Sequence, residues 1–251
     1  ALATFTGRSI GVLYQFYRLL HGTVRIRILK NQIRVNLKVM LRLMRVSITG
    51  ILQFAIAHSS WIGLVRIVSI FGAAALAGYT IAVRIVIFVI LPSWGLSNAA
   101  ATLVGQNLGA GHPERAEKAV WRTGLYNAAF LGFIGLFFIF FAERVVGLLT
   151  HDANIITLGA NCLRIISYGN LGYAYFMVMM QAFNGAGDTV TPTVVNFFGF
   201  WLFEIPLAYW LAIPLHFHSN GVFSSIAVAE TAMAVASAIL FKRGKWKMQK
   251  I

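Results

Sequence analysis

Long apolar runs separated by short polar stretches set the rhythm of this chain. Seven recur, at roughly residues 2–20, 46–65, 77–104, 119–141, 154–182, 190–213 and 220–240. A helix needs about 20 mainly apolar residues to cross the hydrocarbon of a bilayer, and the last six runs meet that need. The first carries Arg8 and Arg18 and reads as a partial membrane helix. The runs at 77–104 and 154–182 have length to spare for tilting or bending. Pro92, in "VILPSWG", removes a backbone donor in mid-span and predicts a kink there. The pattern predicts an all-α membrane protein.

Composition sharpens that reading. Hydrophobic residues make up 59% of the chain and charged residues 11%, with a mean hydropathy of +0.75, whereas soluble domains carry about 25% charged residues. The solvent of most of this chain is therefore lipid. A net charge of +14 would suit nucleic acid, but the basic residues gather at the ends of apolar runs and form no single binding face. Seven lie in residues 25–45, three in 115–122 and five in 242–250. Cytoplasmic loops retain such an excess, so residues 25–45, the 105–118 loop, the 183–190 loop and the C-terminus are expected in the cytoplasm, which makes this a multi-pass protein of the cell (inner) membrane. Cys162 is the single cysteine and lies inside a run. No disulfide frame or multi-Cys metal site can be built within the chain.

The opening "ALATFTGRSIGVLYQF" has no basic region, short apolar core and cleavage site in the order a signal peptide needs. It reads as though the chain starts part-way through a larger protein. In residues 21–45, Arg34, Lys38, Arg42 and Arg45 recur at three-to-four spacing beside Ile33, Leu37, Met40 and Met44. That pattern predicts an amphipathic helix lying on the anionic inner leaflet and connecting the first apolar run to the six later ones.

Two glycine-bearing stretches, "GQNLGAGHPERAEKA" at 105–119 and "QAFNGAGDTVTP" at 181–192, invite comparison with phosphate loops. Phosphate loops have glycines after a strand leading into a helix N-terminus, and a Walker loop adds Gly-Lys-Ser/Thr. Neither condition holds. Gly109, Gly111, Gly185 and Gly187 instead follow apolar helices and read as C-terminal caps. Pro113 with Glu114 and Glu117, then Asp188, Thr189 and Pro192, suit the first turn of the next helix. The two stretches are expected to be tight cytoplasmic turns between helices, and their spacing hints at an internal repeat.

"GLSNAAATLVGQNLGAGHPERAEKAVWRTG", residues 95–124, and "QAFNGAGDTVTPTVVNFFGFWL", from residue 181, resemble the second lobe of the multidrug and toxic compound extrusion (MATE) transporters. The resemblance runs over about residues 46–245. It implies two six-helix lobes with a substrate cavity between them. Residues 1–20 would end the first lobe, 21–45 would be the inter-lobe connector, 46–241 the second lobe and 242–251 a basic cytoplasmic tail. It also implies export of amphipathic organic cations in exchange for sodium ions or protons, with no other cofactor and no bound metal. Some branches of the family place a cation-binding acid in the first or fourth helix of the second lobe, but residues 46–65 and 154–182 contain no Asp or Glu.

The remaining candidates are polar groups inside spans. Glu204 in "WLFEIPLAYW" and Glu230 in "IAVAETAMAV" are the acids near mid-span. A charge at the bilayer centre costs about 2.5 to 3.5 kcal/mol or more, so each should be neutral, paired or facing water. Arg84 and Arg164 are the available partners. His58 in "IAHSSW" is a further candidate for a transport role, although a hydrogen-bonded histidine at a helix interface is the plainer reading. Gln106, Gln181 and Asn184 stand where they could contact substrate at the inner mouth or satisfy helix ends. There is no Gly-x-Ser-x-Gly elbow, no His-Glu-x-x-His and no close pair of catalytic acids, so an enzyme is not expected. Two alternatives stay open. One is an exporter of lipid-linked saccharides, and the other is a structural membrane fragment inactive without the first lobe.

Overall fold

The computed structural model of the chain describes residues 2–21 and 36–248. Two compact units divide at Val46. The first, Ala1–Val46, holds α1 (Leu2–His21) and the opening turns of α2 (Leu37–Ser69). Asn36 starts α2 by accepting the backbone N–H of Lys38 on its Oδ1 at 3.1 Å, the usual way an orphan donor of a first turn is satisfied. The later part of the expected connector is assigned to the same helix, Leu37–Ser69, since neither Gly nor Pro interrupts residues 37–49. Residues 22–35, including Arg34, lie outside the described residues.

The second unit, Ser47–Ile251, contains the rest of α2, then α3 (Ala73–Gly109), α4 (Pro113–Gly147), α5 (Ala153–Gly185), α6 (Val190–Asn196), a π-helical stretch (Phe197–Glu204), α7 (Ile205–Ala212) and α8 (His218–Lys242). Among the described residues, five helical segments are long and apolar enough to cross a membrane: Ser47–Ser69, Ala73–Gly109, Pro113–Gly147, Val190–Ala212 and His218–Lys242. The sixth expected span, α5, has the length but is more polar, with Asn161, Arg164, Asn170, Gln181 and Asn184 along it. Its position explains the difference. α3, α4 and α8 all pack on α5, which buries much of its surface in protein instead of lipid.

Small residues make that packing tight. A Cβ added to Gly78 of α3 would lie 2.8 Å from the Gly159 nitrogen of α5, and one added to Gly169 would lie 2.9 Å from Ala227 Cα of α8. At Gly185 a Cβ would run into the backbone of Ala101. With lipid as the competing solvent, such close backbone approach supplies the van der Waals attraction that holds helices together. A buried polar knot adds direction. Ser93 Oγ of α3 donates to Asn127 Oδ1 of α4 at 2.7 Å, and Asn127 Nδ2 donates to the Ala174 carbonyl of α5 at 3.0 Å. α3 continues through Pro92, where the ring removes the hydrogen bond to the carbonyl four residues earlier.

The two glycine turns share one hydrogen-bond pattern. Gly111 N–H donates to the Leu108 carbonyl and His112 N–H to that of Asn107, while Gly187 N–H donates to Asn184 and Asp188 N–H to Phe183. Both are Schellman closures, with Gly111 at φ 75° and Gly187 at φ 80° in the left-handed conformation that glycine adopts at little cost. Gly109 and Gly185 are instead the last residues of α3 and α5, and Gly185 serves helix contact. Asp188 accepts from Thr191 N–H at 3.0 Å and from Thr191 Oγ1 at 2.6 Å, which stabilises the start of α6.

Part of the expected basic tail is folded onto the bundle. Residues Lys245–Met248 form a 3-10 turn that buries Trp246 fully. Its indole stacks on Phe241 at 4.6 Å and donates to the Phe241 carbonyl at 2.8 Å. Lys247 pairs with Glu117 of α4 at 2.5 Å. Residues 249–251 lie outside the described residues.

Candidate functional site

Glu204 is 3% exposed and ends the π-helical stretch. The local sequence explains that stretch. Pro206 has no N–H and lies in the first turn of α7, so regular i to i−4 bonding fails just after Glu204. The chain adopts the wider winding, in which Ile205 N–H reaches the Phe200 carbonyl five residues back. Gly199 leaves room on this stretch for Met233 of α8. Such π turns recur at functional positions in helices.

Ser60 of α2, itself buried, donates to Glu204 Oε2 at 3.3 Å and to the Phe200 carbonyl at 3.4 Å. Glu230 of α8 is half-buried and lies within coulombic range of Glu204. The side chains of Tyr79 and Tyr173 are within the same range of both acids. Thus α2, α3, α5, the π-helical stretch and α8 each place a polar side chain in the neighbourhood of Glu204 and Glu230.

Neither expected arginine joins that pair. Arg164 binds Glu143 of α4, with Nη2 at 3.0 Å from Oε1, and its Nε donates to the Ile139 carbonyl at 3.2 Å. Of the two arginines the sequence offered as possible partners for Glu204 and Glu230, Arg164 is thus held by Glu143. Arg84 is exposed on the surface of the second unit. His58 is also exposed, and its Nδ1 donates to the Phe54 carbonyl of its own helix at 3.0 Å, away from the acids.

A second cluster is made of amides. Gln181 Nε2 donates to Asn98 Oδ1 at 2.9 Å, and Asn184 Nδ2 donates to Gln181 Oε1 at 3.2 Å. Gln53 Nε2 of α2 donates to Asn184 Oδ1 at 3.3 Å and to the Thr189 carbonyl at 3.1 Å. The chain of bonds ties α2, α3, α5 and the start of α6 together. Gln106 stands apart from it and is exposed. Further along the same seam, Thr49 Oγ1 bonds Thr189 Oγ1 at 2.7 Å, and Trp201 Nε1 bonds the Ile56 carbonyl and Ser59 Oγ at 3.2 Å each.

Ser60, Gln53 and Asn98 were not singled out from the sequence, although each is a polar residue inside an apolar run. Their partners lie more than 80 residues away, a distance no local pattern spans. Among the described residues, no group of three or more His, Cys, Asp or Glu side chains is gathered in a way that could hold a metal ion.

A bundle of long apolar helices with an internal carboxyl pair defines a multi-pass membrane protein with a polar interior. The family model described as MatE matches residues 50–210, and the chain belongs to that family. The chain is 27% identical over 228 residues to the multidrug resistance protein NorM of Burkholderia vietnamiensis, covering 89% of this chain and 49% of the relative. It is 25% identical over 203 residues to a probable multidrug resistance protein NorM of Thermotoga maritima, covering 81% and 42%. The chain thus spans about half the length of these curated relatives. The fold also matches a multidrug resistance MATE family transporter of the MOP superfamily in its outward-facing conformation, with a TM-score of 0.89 and 19% identity over 98% of this chain and 55% of that one. A MATE structure in the bent conformation matches with a TM-score of 0.88 over the same shares.

Proposed function

We propose that this chain supplies the second six-helix lobe of an efflux antiporter in the cell membrane, with its C-terminus in the cytoplasm. The antiporter exports amphipathic organic cations in exchange for sodium ions or protons and alternates between outward and inward access as two lobes rock against one another. The observation that carries this reading is the Glu204 and Glu230 pair, with Ser60 bonded to Glu204. Two carboxyl groups inside neighbouring spans are costly to keep charged without a counter-ion or water, so a coupling cation taken up here would relieve that cost and be released when the site opens. The Glu204 end of the π-helical stretch couples ion uptake to helix rearrangement. The partner lobe, in the same polypeptide or in a second one, completes the cavity.

The test is uptake of a fluorescent organic cation into proteoliposomes holding both lobes, under an imposed sodium or proton gradient. Gradient-driven uptake that stops when the gradient collapses is expected, and the gradient that works names the ion. Glu204→Gln is expected to slow exchange at least tenfold while the protein stays folded in the membrane; unchanged exchange by this variant would remove Glu204 from the mechanism.

A further inference from the structure

Side-chain hydrogen bonds join α2 to the segment Val190–Ala212 over only part of their length. Thr49 bonds Thr189, Ser59 bonds Trp201 and Ser60 bonds Glu204, so the two run side by side in the same direction. Beyond Ser60 no side-chain hydrogen bond joins them among the described residues. Gly63 has no side chain there, and Ile205 packs close against it: a Cβ on Gly63 would lie 3.2 Å from Ile205 Cδ1. From this point a groove of about 750 Å³ opens between the ends of α2 and α7, a volume that suits a small-molecule ligand.

The groove has two kinds of wall. Ile67, Ile70, Ile205 and Pro206 make it hydrocarbon, while Arg66, Tyr209 and Trp210 add its polar groups. α2 ends at Ser69 and α7 at Ala212, so these three lie within one turn of the helix ends. Tyrosine and tryptophan at the end of a membrane helix sit at the level of lipid headgroups. Arg66 is exposed, and among the described residues no acid is within salt-bridge distance of it. Nor does any acid line the groove. A guanidinium at the edge of a bilayer with no carboxylate beside it is matched by an anion from outside the chain.

We propose that this groove binds a phospholipid of the surrounding bilayer, with one acyl chain along Ile67, Ile205 and Pro206 and the phosphate on Arg66. The guanidinium fork meets phosphate oxygens in two parallel hydrogen bonds, and basic pockets between membrane helices hold lipid headgroups in this way. One arginine and no acid suit a headgroup whose sole charge is its phosphate, such as phosphatidylglycerol. Phosphatidylethanolamine brings an ammonium that the groove has nothing to receive. The inner end of the groove is Ile205, the neighbour of Glu204, so a lipid held here stands beside the Ser60 to Glu204 bond and keeps α2 and α7 apart. The inference needs only that these helices span a bilayer, and it stands or falls separately from the transporter reading.

The experiment reconstitutes the complete protein, with both lobes, in vesicles of equal phosphatidylglycerol and phosphatidylethanolamine. After extraction and detergent washing, native mass spectrometry reads the lipids retained by each protein. Wild type is expected to retain phosphatidylglycerol several-fold over phosphatidylethanolamine. Loss of a charged, bidentate contact in Arg66→Gln is expected to lower that retention about tenfold, with partial recovery in Arg66→Lys. Ile70→Trp, which fills the groove and keeps the charge, should lower it as well. Arg144→Gln alters another exposed arginine, in the last turn of α4 and outside the groove, and should change nothing. Equal retention of the two lipids, or a value for Arg66→Gln within twofold of wild type, overturns the proposal. So does an equal loss in Arg144→Gln, which would mean a general attraction of anionic lipid to surface charge. Displacement of the lipid by millimolar inorganic phosphate would make Arg66 a free-phosphate site instead, and no retained lipid at all would mean that the partner lobe fills the groove.

Discussion

α5 and α2 join the same bundle by different chemistry. α5 is held by backbone proximity, with Gly78 against Gly159, Gly169 against Ala227 and Gly185 against Ala101, and by the fully buried Asn127 knot. Along α2, side-chain hydrogen bonds run from Thr49 and Gln53 near Thr189 to Ser59 near Trp201 and Ser60 at Glu204, and only beyond them do Leu64, Ile67 and Val68 enter the apolar core. Close packing has one arrangement and resists displacement. A seam of single hydrogen bonds, each contributing about 1 kcal/mol net, can be exchanged bond by bond. The difference predicts that α3, α4, α5 and α8 move as one body and that any rearrangement around Glu204 takes place along the hydrogen-bonded part of α2.

That contrast can be broken most forcefully at Gly185. Gly185→Leu places a side chain in the backbone of Ala101 and is expected to cost about 3 kcal/mol or more, seen as a large fall in the thermal unfolding midpoint in detergent. Gly109→Ala, with nothing near its Cβ, should leave that midpoint almost unmoved. Asn127→Leu leaves Ser93 Oγ and the Ala174 carbonyl unpaired and is expected to destabilise by about 1 to 3 kcal/mol, measured in the same way.

Along the seam the balance should reverse. Ser60→Ala is expected to lower stability by only about 1 kcal/mol yet change gradient-driven exchange several-fold, because it removes a hydrogen bond to Glu204. An equal loss at Ser60 and Asn127 in stability, with exchange unchanged, would erase the distinction. Gln53→Ala should cost about 0.5 to 1 kcal/mol and raise hydrogen exchange at the start of α6. Smallest of all, Lys247→Ala removes a partly exposed ion pair expected to contribute about 1 kcal/mol or less, whereas Trp246→Ala in the same turn should cost about 3 kcal/mol.

Helices and turns were legible in the sequence because apolar length and glycine caps are local signals. Glu204 and Arg84 stood out for the same reason, as charges inside apolar runs. Their surroundings did not. Arg164 could be matched to Glu204 on paper, but Glu143 lies only 21 residues away on the adjoining helix and within reach, and only the packing of α4 on α5 decides that. The π-helical stretch had a readable cause in Pro206, two residues after Glu204, although a proline alone predicts a kink or a break as readily as a wider turn. The lower apolarity of α5 became intelligible only once the helices around it were in place.

Cys162, with no exposed surface at all, has a practical consequence. The single thiol of the chain is shielded from reagents while the fold is intact, so spectroscopic labels can be installed at chosen cysteines without first removing a native one. Pairs placed on α2 and α5 would then report directly, as a distribution of distances, whether the seam slides while the glycine-packed core stays still.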